Sequence, residues 1–126
     1  MRKLYFLKTM LLLCALVVGS GSVWAADVTF TVNVETSTTT TLTKNGISLT
    51  ASSGTFSRTD NYRIYSGATL TVSSEVGNIS KIVFTYDQNT LTLKSGENGS
   101  ISNGTWTGNT SSVVFNPDCS CINIHC

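Results

Sequence analysis

Charge is scarce in this chain. Its 126 residues include eight Lys and Arg, seven Asp and Glu, one His and one Pro. Nucleic-acid affinity rests on a dense patch of Lys and Arg that neutralises phosphates, and scattered basic residues exclude it. The lone histidine, His125, stands beside the C-terminal Cys126, a poor place from which to hold a base against a nucleophile. Glycoside hydrolysis needs two opposed carboxyl groups roughly 5 to 10 Å apart. No motif selects a pair among Asp27, Glu35, Asp60, Glu75, Asp87, Glu97 and Asp118, most of which fall in expected turns where acids are ordinary. The chain therefore reads as a non-enzyme that needs no cofactor. The one proline, Pro117, follows the last strong strand pattern, where a missing N–H costs little.

Long apolar runs are also missing, apart from one near the start. Arg2, Lys3 and Lys8 precede the apolar run Met10 to Val18 and the small-residue stretch Gly19 to Ala26, the layout of a secretory signal peptide. The run is shorter than the roughly 20 residues a membrane span requires. Cleavage after Ala25 places Val23 and Ala25 at the two recognition positions, whereas cleavage after Ala26 would put bulky Trp24 at one of them. The expected organisation is a signal-peptide helix over residues 1–25 and a single β-sandwich domain over 26–126, with no transmembrane segment in the exported chain. Cys14 follows three leucines and so lacks the small-residue flank of a lipid-attachment site. Beyond the signal only Lys44, Arg58, Arg63, Lys81 and Lys94 oppose the seven acids. A domain of this size can bury a two-layer core without obligatory disulfides.

The remaining sequence is β throughout. Val28, Phe30, Val32 and Val34 alternate with polar residues, the period of a half-buried strand. Glu35 to Thr43 is too polar to bury and too β-branched to favour a helix, so it reads as an extended edge or a loop. Asn45-Gly46 is a hairpin turn signal, after which Ile47, Leu49 and Ala51 resume the alternation. Ser52 to Asn61 reads as a polar loop. Tyr62/Ile64 and Leu70/Val72 fit either two strands or one bent strand. Ile79 to Tyr86 puts Ile82, Phe84 and Tyr86 on one face and Val83 on the other. Leu91 and Leu93, Ile101, Thr105 to Thr107, and finally Val113 and Phe115 complete eight or nine short strands with turn signals roughly every 10 residues, the signature of a sandwich. A jelly-roll or Greek-key connection is expected.

The densest cluster of reactive side chains is Cys119, Cys121, His125 and Cys126. On a strand the first three would share a face with Cys126 opposite, so tetrahedral zinc would need a turn here. A disulfide is the commoner fate in an oxidising compartment, yet three exported cysteines leave one over, and pairing within the chain, pairing between chains and free thiols stay open. Asp87 and Asn89 offer too few oxygens by themselves for calcium. Asn78, Asn98, Asn103 and Asn109 each begin an Asn-x-Ser/Thr sequence. In so Ser/Thr-rich a chain these read as turn residues.

NYRIYSGATLTVSS, ISKIVFTYD and GTWTGNTSSVVF together resemble a galactose-binding-like β-sandwich module found in secreted and cell-surface proteins of Gram-negative gut anaerobes. The resemblance covers about half the chain and implies an accessory module rather than a ligand. The ending PDCSCINIHC departs from it, which implies either a shortened last strand or a truncated copy of a longer protein. Tyr and Trp faces suit stacking on sugar rings, and Tyr62, Tyr65, Tyr86 and Trp106 are the aromatic candidates. With Tyr62 and Ile64 inward, alternation turns Arg63 and Tyr65 outward, whereas Thr105 and Thr107 turn Trp106 inward. The candidate ligand residues are thus Arg63, Tyr65, Tyr86 and Trp106. The expected role is an exported module recognising a glycan or another surface protein. Its rivals are an adhesive subunit joined through strand edges and a non-functional fragment of a larger surface protein.

Overall fold

The computed structural model describes residues 9–10, 16–17, 28–59, 61–86 and 90–118. They form strands β1 (Thr9–Met10), β2 (Leu16–Val17), β3 (Phe30–Thr31), β4 (Thr41–Lys44), β5 (Ile47–Ala51), β6 (Gly54–Thr55) and β7 (Arg63–Ile64), followed by β8 (Leu70–Ser74), β9 (Asn78–Val83), β10 (Thr90–Leu93), β11 (Ser100–Ser102), β12 (Thr105–Thr110) and β13 (Ser112–Asp118). One antiparallel sheet runs β10-β13-β8-β5-β4 and a second runs β11-β12-β9-β2, with two-stranded ribbons β1-β3 and β6-β7 beside them. The fold is an all-β sandwich. Most of the expected signal helix lies outside the described residues. Its four described residues are extended, β1 pairing with β3 and β2 with β9.

Three chain segments build the sandwich by crossing between its sheets. β8–β9, β10–β11 and β12–β13 each place one strand in either sheet, and the last lies between the other two in both. Alternation puts one face of each strand inward. Leu42, Ile47, Leu49, Ala51, Leu70, Val72, Val113 and Phe115 from the first sheet meet Ile79, Ile82, Phe84 and Trp106 from the second in one core cluster. Phe84 and Phe115 join the layers with ring centroids 5.1 Å apart at 79°, an edge-to-face pair worth about 0.5–1.5 kcal/mol beyond its buried area.

Local chemistry accounts for the turns. Asn45 and Gly46 both have positive φ, 50° and 83°, as the tight hairpin between β4 and β5 demands. Between β9 and β12 the register slips at Thr107/Thr110, where three steps along β12 match two along β9, a bulge in β12. The Tyr62-to-Val72 run resolves into two strands, because Ala68 N–H bonds Tyr65 O at 3.0 Å and closes a turn between β7 and β8.

Two expectations change. The strand begun at Val28 ends at Thr31, since Asn33 takes φ 71° and the N–H groups of Val34 and Glu35 both return to Thr31 O. Val34 is consequently 69% exposed. The supposed polar loop Ser52 to Asn61 contains β6 and the fully buried Phe56, whose backbone bridges to Ser37. The threonine-rich tract is the expected loop and sheet edge, with Ser37, Thr39 and Thr41 joined by local side-chain bonds before β4, but Leu42 within it turns inward and is buried.

Candidate functional site

The excursion between β5 and β8 carries the two outward candidates, Arg63 and Tyr65. β6 and β7 approach so closely that a Cβ on Gly54 would come within 2.1 Å of Arg63 O, so this ribbon requires glycine there. Ile64, opposite Gly54, is buried, and alternation turns its neighbours Arg63 and Tyr65 outward, where both are partly exposed. Two residues apart on extended chain, they stand roughly 6–7 Å from each other. The Arg63 Nε–H donates to Asn61 Oδ1 at 3.3 Å, and Tyr65 N–H to Ser53 O at 3.0 Å. The pair thus presents a guanidinium and a phenol from one ribbon.

Beneath them Tyr62 fastens the ribbon to the body. Its ring meets Phe56 edge-on at 5.4 Å and 74°, and its hydroxyl donates to Glu35 O at 2.5 Å. Burial, helped by the Glu35 charge, pushes the Tyr62 phenol well above its ordinary range. The Glu35 side chain is itself held. Burial opposes its ionisation, but the Thr31 N–H, the Lys44 hydrogen bond and the Lys44 charge outweigh burial and keep the carboxyl below its usual value. Lys44 Nζ lies 2.9 Å from Glu35 Oε2 and donates also to Thr29 O at 2.9 Å.

Tyr86 and Trp106 have packing roles. Tyr86 lies nearly parallel to Phe84, 6.1 Å away at 14°, with its hydroxyl 3.4 Å from Leu91 O. Burial raises its phenol pKa, against a smaller opposing effect of that carbonyl. Tyr86 is only partly buried. Trp106 has no exposed surface, and its indole N–H donates to Asn98 O at 2.9 Å. A Cβ on Gly108 would fall 2.4 Å from its ring, and one on Gly99 2.6 Å. The indole therefore occupies a slot cut by two glycines and offers no face to a sugar. The inward direction read from Thr105 and Thr107 is the one observed, and it removes Trp106 as a stacking residue.

The cluster Cys119, Cys121, His125 and Cys126 lies outside the described residues, as do Cys14, Asp60 and the Asp87–Asn89 turn. Among the described residues no group of three or more His, Cys, Asp or Glu could hold a metal ion. Among the same residues no helix is long and apolar enough to cross a membrane, which says nothing about a β-barrel. The class established is an all-β antiparallel sandwich with a ribbon-borne Arg63–Tyr65 pair at its surface. Comparison with protein-family models, with curated proteins and with solved structures finds no match for this chain.

Proposed function

We propose that this chain is an exported, non-catalytic binding module that recognises a glycan or a glycan-bearing cell surface, with Arg63 and Tyr65 as its contact residues. The observation that carries the reading is their common placement on the glycine-dependent β6-β7 ribbon, which Tyr62 fastens to the loop after β3. A guanidinium donates to hydroxyl oxygens, and a phenol supplies a flat face with a polar tip. Export rests on the basic and apolar N-terminal pattern, and the module type on the resemblance to galactose-binding-like sandwiches. A glycan array with Arg63→Ala and Tyr65→Ala tests the idea. Each change should weaken wild-type binding about tenfold, near 1.4 kcal/mol, and an array silent for the wild type would end the reading.

A second reading follows from β4. It is an edge of the five-stranded sheet and lies beside the polar tract of residues 36–40, and an open edge is a template for strand addition. An adhesive subunit would oligomerise with rising concentration in size-exclusion chromatography, whereas a stable monomer speaks for the glycan module.

A further inference from the structure

On the outer face of the five-stranded sheet, two rows of side chains across β4, β5, β8 and the first half of β13 carry no charge. Cross-strand register aligns Ser112, Ser73, Ser48 and Thr43 in one row. Val114, Thr71, Thr50 and Thr41 form the next. Seven of these eight side chains are hydroxyls, and all eight are partly or fully exposed. Strands about 4.8 Å apart, with roughly 6.7 Å between alternate residues, set the spacing of this grid. At its β4 side the hydroxyls already bond to one another, Thr43 to Ser48 at 2.9 Å and Thr41 to Thr50 at 3.4 Å.

Strand propensity does not explain the pattern. It favours Thr and Val but not Ser, and Ser fills three positions of the first row. Nor does solubility, since soluble surfaces commonly carry about 25–35% charged residues. Charged side chains among the described residues flank these rows or lie on other elements. Lys81 is exposed on β9 of the other sheet, Lys44 bonds Glu35 beyond β4, Lys94 follows β10, and the Glu97 carboxylate accepts the Val114 N–H at 3.0 Å at the β10 end of the second row.

Neutrality and hydroxyl chemistry together select an occupant. A hydroxyl both donates and accepts, so the rows suit a ligand whose own groups do both, and nothing on them attracts a phosphate, a polyanion or a charged peptide. Adjacent strands rotate by about 20–25°, which turns a four-strand row through roughly 60–75°. A rigid flat lattice would lose contact at its ends, whereas a flexible chain follows the turn. We propose that this face binds a neutral, extended polysaccharide chain laid across the strands along the two hydroxyl rows, at a place separate from Arg63 and Tyr65. The inference rests on the glycan reading above and adds to it a ligand class and a surface.

Native electrophoresis of the full chain through gels holding soluble starch, mixed-linkage β-glucan, galactomannan or polygalacturonate tests it. At least one neutral polymer should retard the wild type. Thr71→Lys and Thr50→Lys, which place a charged head on the rows without entering the core, should weaken that retardation about tenfold or more, and Thr71→Val about threefold. Thr71→Val keeps shape and strand propensity, so an unchanged urea midpoint separates lost binding from lost folding. Lys81→Thr on the other sheet should leave retardation as in the wild type. Loss with Arg63→Ala or Tyr65→Ala but not with the Thr71 and Thr50 variants overturns the proposed face and leaves the glycan reading standing. Retardation by polygalacturonate alone also overturns the face. Retardation by none of the four polymers overturns both.

Discussion

The Tyr62 hydroxyl donates to the Glu35 carbonyl, joining residues 27 apart in the chain and fixing the β6-β7 ribbon against the turn after β3. The bond runs through a half-buried phenol whose ring edges onto Phe56, so the ribbon's outward face inherits its position from an inward contact. Arg63 and Tyr65 owe their placement to a residue packed between Phe56 and the Glu35 carbonyl.

Tyr62→Phe keeps the ring and removes that bond. The change should lower stability by about 0.5–1.5 kcal/mol, the usual net worth of one hydrogen bond, read as a shift of the urea midpoint. Hydrogen exchange at the Tyr65 amide, which bonds Ser53 O, should quicken more than at amides of β8.

Trp106→Ala should cost about 3–5 kcal/mol, as truncation of a fully buried aromatic does, in equilibrium urea unfolding. Gly108→Ala tests the slot by the opposite change. Its Cβ would sit 2.4 Å from the indole, and overpacking of this kind costs about 1–3 kcal/mol. Gly108→Ala should shift or quench the Trp106 fluorescence relative to the wild type, and Trp106→Ala should remove it.

Acid should weaken the β3–β4 turn. The folded Glu35 carboxyl lies below its ordinary value, so its stabilisation is complete above the unfolded carboxylate pKa, near pH 4.3, and is lost as pH falls through the folded value. The Lys44 partner is about one-third exposed, so solvent screening holds the pair's share to under about 1 kcal/mol. Glu35→Gln should flatten the acid limb of a stability–pH curve and leave neutral pH slightly destabilised.

Alkali acts through the phenols. Tyr62 and Tyr86 are raised by burial, so the folded state holds their protons where the unfolded chain releases them, and stability falls as pH rises above about 10. Absorbance titration near 295 nm should show these two tyrosines ionising above the ordinary phenol range. Tyr62→Phe should reduce the loss of stability at high pH.

Much of the architecture was readable from period and punctuation. The inward set Ile64, Leu70, Val72, Ile82, Phe84, Val113 and Phe115 is buried throughout, because a strand exposes alternate side chains to opposite faces whatever its partners are. Asn45-Gly46 named its own hairpin for an equally local reason, the positive φ required at both positions. Phe56 went unread because one aromatic among serines and threonines has no period, and only a partner from elsewhere, Tyr62, gives it a place.

Amino-acid order alone determined that this chain is β, which side of each strand faces inward, and that Trp106 points to the core, since these follow from dihedral preference and alternation within a few residues. Tertiary structure decided what lies side by side. Register across four strands assembles hydroxyls from residues 41 to 112 into rows, and a bond over 27 positions seats Arg63 and Tyr65. Both arise from pairing between distant segments, whose free energy depends on neighbours that no local window contains.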